Sequence, residues 1–228
     1  MKSMRHLILS GVFLFYFCAG FVDAQRITFD AMPDGWSFKG KPFTKESVFE
    51  IQSNPDSADH RWLSLVSSNA SGSIVSKGPL TVDLKKTPIL RWRWRVTTLP
   101  KDGDGRYPNQ DDQAIGIYIS SGSRLKQQSI AYRWETLTPA GTDGSVQYAK
   151  IISVKWFAIR DQCSVDGKTF FTEERNLADD FKAAFGMVPD EIGIGISCNS
   201  QFSETSSAAQ LDWIEFCAPP SQPEDNAL

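Results

Sequence analysis

Apolar and polar residues alternate with period two along most of this chain. The alternation runs over 48–52, 61–66, 80–84, 89–97, 114–120, 129–135, 150–157, 169–172, 191–197 and 209–216, and clusters of Gly, Asn, Asp, Ser and Pro lie between. Successive side chains of a strand point to opposite faces, so the pattern predicts about ten short strands, most with one buried face. One segment breaks the rhythm. From Leu177 to Phe185, Asn176 stands as an N-cap, Asp179 and Asp180 fill the first turn, and Gly186 and Pro189 follow as stop signals. That pattern predicts a single short inserted helix. The fold class is all-β, a sandwich or barrel.

The stretch ILRWRWRV puts Leu90, Trp92, Trp94 and Val96 on one face and Arg91, Arg93 and Arg95 on the other. Tryptophan toward the core is the plain reading. Three like charges about 6.6 Å apart on one strand face call for acids nearby. If 90–97 and 114–120 form a hairpin around the loop 98–113, Asp111 and Asp112 arrive beside Arg93 and Arg95. The same loop carries Asp102 and Asp104 next to Gly103 and Gly105. With Asp111 and Asp112 these offer the oxygens an irregular calcium loop would use, because calcium takes six to eight oxygens. An EF-hand is excluded, since Tyr107 and Gln113 occupy its sixth and twelfth positions. Structural calcium is the one cofactor candidate. In SIAYRWE, Tyr132 and Trp134 share a face with Ile130, and Arg133 and Glu135 share the other. Core packing and a sugar-stacking platform both explain the aromatic row. The candidate ligand groove therefore draws on Arg93, Arg95, Asp112, Arg133 and Glu135, with Tyr132 and Trp134 as aromatic candidates.

The N-terminus changes the setting. Lys2 and Arg5 precede an apolar run over 7–17 and a small-x-small pattern at Val22-Asp23-Ala24, the marks of a secretory signal peptide over 1–24. The run is too short to span a bilayer and no later segment is long enough, so no transmembrane segment is expected. The expectation is an exported protein, periplasmic or extracellular. It comprises one domain over 25–217 and a flexible tail over 218–228. A formal net charge of −3, made one unit more negative by loss of Lys2, Arg5 and Asp23, excludes nucleic acid as a natural partner. Cys163, Cys198 and Cys217 follow the signal peptide. Export favours one disulfide among them. If the last two strands form a hairpin, Cys198 and Cys217 stand about 25 Å apart, so the expected pair is Cys163 with Cys198. Zinc is disfavoured, with no paired C-x-x-C and with His6 and His60 elsewhere.

No G-x-S-x-G, H-E-x-x-H or phosphate loop occurs. A non-catalytic binding module, with a carbohydrate or envelope glycan as partner, ranks first, and the chain leans away from being an enzyme. A hydrolase would need Glu135 paired with Asp111 or Asp112, and a lyase would need Tyr132 near Arg93. A structural or assembly factor of the envelope is the third reading.

The segments TVDLKKTPILRWRWRVTTLP, DDQAIGIYI, IAYRWE, EERNLADDFKAAFG and AAQLDWIEF, over roughly 74–216, resemble in order and spacing the bacterial domain-of-unknown-function family 3047. The resemblance implies an exported jelly-roll β-sandwich related to carbohydrate-binding modules. The opening ITFDAMPDGWSFKG is similar to the first strand of such modules. At 197–205 the chain departs from the family's Asp-rich D-x-D-N-T turn, carrying Ser197, Cys198, Asn199, Ser200 and Gln201 instead, so a site built on that turn does not transfer.

Overall fold

The computed structural model describes residues 24–220 apart from 56, 124 and 149. The signal-peptide expectation falls on residues outside this range, as does most of the tail. Thirteen strands run in chain order: β1 (Gln25–Thr28), β2 (Trp36–Lys39), β3 (Val48–Asn54), β4 (Ser57–Ser68), β5 (Ser71–Ser76), β6 (Ile89–Thr98), β7 (Ile115–Ser123), β8 (Lys126–Trp134), β9 (Asp143–Tyr148), β10 (Ile152–Arg160), β11 (Phe171–Asn176), β12 (Gly193–Asn199) and β13 (Ser206–Cys217). The one α-helix among the described residues, α1 (Leu177–Phe185), forms where the sequence places it. Asn176 accepts from the Asp179 N–H at 3.1 Å, and Gly186 closes the helix at φ 79°.

The strands make a jelly-roll β-sandwich. The first sheet has the order β11-β6-β13-β4-β3, with β1 also on β13, and the second has β2-β5-β12-β7-β8-β10-β9. All pairs are antiparallel except β8 with β10. The core lies between the sheets, where Trp92 stacks on Tyr132 at 5.0 Å and Trp94 meets Trp134 at 5.5 Å. Both aromatic rows face inward, one from each sheet.

This arrangement corrects several expectations. The segments 90–97 and 114–120 do not form a hairpin, because β6 pairs with β13 and β11 while β7 pairs with β12 and β8 in the other sheet. The intervening loop crosses the end of the sandwich. Residues 80–84 form no strand, although Val82 and Leu84 are buried against the core. Strands β12 and β13 also lie in different sheets. Cys163, Cys198 and Cys217 are all free thiols, so the Cys163–Cys198 disulfide is not formed. Cys198 faces the core from β12 with its thiol pushed up to about 12 by burial. Cys163 is exposed in the 3-10 turn Gln162–Ser164 after β10.

Candidate binding face

The arginine ladder lies on the outer face of the first sheet and is engaged there. Arg91 pairs with Glu174 at 2.6 Å, Arg93 pairs with the buried carboxylate of Asp212, and Arg95 bonds to Gln210 and, at 2.9 Å, to the Lys168 carbonyl. Asp212 also meets His60 Nε2 at 2.6 Å. Phe170, from the loop after β10, lies against Arg93 and Arg95 at 4.7 and 4.5 Å. The acids that balance the ladder come from β11 and β13, so the expected pairing with Asp111 and Asp112 is corrected. Arg93→Ala would strip a cation from a buried carboxylate. It is expected to cost about 1.5–3 kcal/mol in denaturant unfolding. An unchanged unfolding midpoint would contradict this role.

The four loop aspartates separate as well. Asp102 is exposed at a turn with φ 58°. Asp104 is buried, and its bonds from Arg106 at 2.6 and 2.8 Å and from Thr138 at 2.9 Å hold its carboxyl at about 2. Asp112 is buried and accepts from Asn199 Nδ2 at 3.0 Å and the N–H groups of Phe202 and Ser203 at 3.2 and 2.7 Å. It thereby clasps the turn where the chain departs from the Asp-rich pattern. Among the described residues, no three His, Cys, Asp or Glu side chains gather as a metal site.

Asp111 leads to the other outer face. Alternation along the second sheet puts Tyr118, Ala131, Arg133 and Trp156 outward, opposite Ile117, Ile119, Tyr132 and Phe157. Arg133 is 1% exposed, its guanidinium 5.3 Å from the Trp156 ring and 5.9 Å from Tyr118. It donates to Asp111 Oδ1 at 2.9 Å and the Tyr118 hydroxyl at 3.2 Å, and its Nη1 is 3.6 Å from Glu135 Oε1. Burial disfavours the guanidinium's charge, but Tyr118, Asp111 and Glu135 outweigh it and raise the pKa. The Tyr148 hydroxyl reaches Asp111 Oδ2 at 3.4 Å, and Gln113 donates to Asp111 Oδ1 at 2.7 Å. Glu135 is sealed below. The Gly105 N–H donates to its Oε2 at 3.1 Å, and a Cβ at Gly105 would lie 2.8 Å from the carboxylate, so only glycine brings the loop this close. Burial pushes the Glu135 carboxyl up to about 7 despite the opposing pull of Arg133.

What remains open to solvent is a specific surface. Tyr148 is 44% exposed, Tyr118 is half-buried, and the Asp111 side chain keeps partial exposure between them. Beside Tyr118, the outward positions of β7, β12 and β5 are Gly116, Gly195, Ser197, Ser73 and Val75, of which Gly116 is buried against the Tyr118 ring and Gly195 against Val75. Ser73, Val75 and Ser197 keep partial exposure and form a floor flanked by an aromatic wall with a carboxylate acceptor, a layout that suits stacking of a ring face and hydrogen bonding of its hydroxyls.

The structure thus brings Arg133, Glu135 and Asp111 together and leaves Arg93, Arg95, Asp112, Tyr132 and Trp134 outside the face. Tyr132 is a core residue donating to Asp180 at 2.6 Å, and Trp134 donates to the Asp161 carbonyl at 3.1 Å. Arg93 is across the sandwich from Tyr132, so the lyase pairing is not assembled. Tyr118, Tyr148 and Trp156 are site residues that the sequence reading missed. The available signal was the run of 152–159, where Ile152, Val154, Trp156 and Ala158 make one alternating set wholly apolar while Phe157 and Ile159 add apolar residues to the other, as in a strand covered on both faces.

A protein family described as "Protein of unknown function (DUF3047)" matches residues 34–215. No curated protein matches the chain. Among solved structures, the xyloglucanase domain of NopAA from Sinorhizobium fredii, in complex with cellobiose, is similar at 10% identity and TM-score 0.46, over 80% of this chain and 94% of that one. Endoglucanase cel12A from Rhodothermus marinus is similar at 10% identity and TM-score 0.43, over 84% and 94% of the two chains. The metal-free lectin I-B4 from Griffonia simplicifolia is similar at 11% identity and TM-score 0.43, over 85% and 98%. At such identities the likeness concerns the sandwich architecture alone.

Proposed function

The chain belongs to the DUF3047 family of proteins of unknown function, and we propose that it is an exported, non-catalytic binding protein whose ligand is a saccharide of the cell envelope or its surroundings, held on the outer face of the second sheet. The observation that carries the reading is the Asp111 carboxylate, fixed by the buried Arg133 and presented between Tyr118 and Tyr148 beside a floor of Ser73, Val75 and Ser197. Rigid aromatic faces with a fixed acceptor recognise a sugar without reorganisation at binding. Export rests on the signal-peptide pattern of 1–24.

A hydrolase reading has a specific feature in its favour. Asp111 and Glu135 meet the same guanidinium nitrogen, 2.9 and 3.6 Å away, which makes them two neighbouring carboxyls of the kind a glycosidase pairs. Glu135, however, is 0% exposed beneath Gly105 and Arg133, and a general acid must reach the bond it protonates. Its place favours a role in holding the loop.

A glycan array with the mature protein tests the reading. Tyr118→Ala and Tyr148→Ala should each weaken binding about tenfold, the upper end of one stacking contact. The melting temperature should move little for Tyr148→Ala and fall for Tyr118→Ala, which also removes a hydroxyl partner and part of the cover of Arg133. Retention of full affinity by the Tyr118→Ala/Tyr148→Ala double variant, or absence of glycan binding altogether, would overturn the proposal.

A further inference from the structure

Two residues along the strands from Tyr118, the same face opens into a second depression. Ser120 follows Tyr118 on β7, Gly193 precedes Gly195 on β12, and these two strands pair Gly193 with Ser120 and Gly195 with Tyr118. A trough of about 660 Å³ begins there, lined by Ser76, Ser120, Gly122, Gln127, Glu191 and Gly193. Such a volume lies within the roughly 300–1,000 Å³ of small-molecule sites.

The lining is polar and already ordered. Ser120 Oγ and Ser129 Oγ lie 2.8 Å apart, and Gln127 Nε2 donates to both at 3.1 and 3.2 Å. Among the described residues no protein group donates to the Gln127 carboxamide oxygen. Fixed hydroxyls and a carboxamide can exchange hydrogen bonds with a hydroxyl-rich ligand at low entropic cost. Gly193 keeps the passage open. A Cβ there would meet Ser76 Oγ at 3.4 Å and little else, so the position tolerates a side chain while its absence leaves the floor level.

We propose that this trough is a second saccharide subsite, continuous with the Tyr118 and Tyr148 face, so that the protein holds an extended polysaccharide chain rather than a single terminal sugar. The inference rests on the saccharide reading of that face. Strand rise separates the Tyr118 and Ser120 positions by about 6.6 Å, so one chain lying along β7 and β12 meets both clusters.

Calorimetry with ladders of β-1,4-glucan, β-1,3-glucan and chitin oligosaccharides, disaccharide to hexasaccharide, tests it. Affinity for the ladder that binds should rise about tenfold or more with length. Gly193→Leu, which fills the trough, and Gln127→Ala, which removes its carboxamide, should each abolish that gain while leaving disaccharide affinity unchanged. The second variant guards against a folding defect in the first. Affinity independent of length, or a length gain that survives both substitutions, overturns this subsite and leaves the saccharide reading standing. No binding to any ladder removes both.

Discussion

Arg133→Ala is expected to lower the stability of the folded protein by about 3–5 kcal/mol, the cost of stranding a buried charge. Among the described residues, Arg133 is the one cation in hydrogen-bond or ion-pair contact with the 0% exposed Glu135, and it also fixes Asp111. The loss should depend on pH. Burial raises the Glu135 carboxyl from 4.5 to about 7 in the fold, so its contribution is fully present below pH 4.5 and is lost as pH rises toward 7. At about 1.4 kcal/mol per unit, that amounts to about 3 kcal/mol. Without the guanidinium the carboxyl rises further, and the penalty of Arg133→Ala grows from pH 5 to pH 8. Glu135→Gln should flatten the wild-type slope in this window and recover part of the stability lost in Arg133→Ala. Denaturant unfolding of the four proteins at the two pH values measures this. Equal losses at pH 5 and pH 8 would show that Glu135 does not carry the effect.

Trp94→Ala is expected to cost about 3–5 kcal/mol as a large-to-small core substitution. The ring is 0% exposed, 5.4 Å from Trp92 and 5.5 Å from Trp134, and its Nε1 donates to Glu173 at 3.1 Å. Its removal opens a cavity between the sheets and leaves Glu173 with one partner fewer. Trp94→Phe should lose less, because it keeps a ring in the same space. Glycan affinity of the folded protein should stay at the wild-type level in both, since the core row points away from the binding face. A loss below about 1 kcal/mol for Trp94→Ala would mean that the aromatic row is not the packed centre.

The sequence made some of this legible and left the rest hidden, for physical reasons. The helix 177–185 was readable because its cap, first-turn acids and αL glycine are local signals. Strand β6 was readable because WRWRV alternates without exception. The partner of β6 was not, since alternation names the buried face of a strand and says nothing about which sheet a neighbour joins. That missing fact turned the acidic loop into a hairpin loop and paired Asp111 with the wrong arginines. Strands β5 and β9, SGSIVS and DGSVQY, went unread because they carry few branched apolar residues. Their outward positions, Ser73 and Val75 on β5 and Gly144, Val146 and Tyr148 on β9, belong to the outer face of the sheet instead of the core between the sheets. Arg133 and Glu135 were correctly placed outward, but their burial comes from Trp156, Tyr118 and Gly105, which sequence distance does not connect. Cys198 stays free because β12, which carries it, lies three strands along the second sheet from β10, which Cys163 follows.

The central claim is that the outer face of the second sheet, not the arginine face of the first, receives the ligand. Amide chemical-shift mapping of the ¹⁵N-labelled mature protein, titrated with the longest oligosaccharide of the ladder that binds, addresses it directly. The account predicts perturbations centred on Gly116, Tyr118, Ser120, Tyr148 and Gly195. Shifts concentrated instead at Arg93, Arg95 and Trp62 would contradict it.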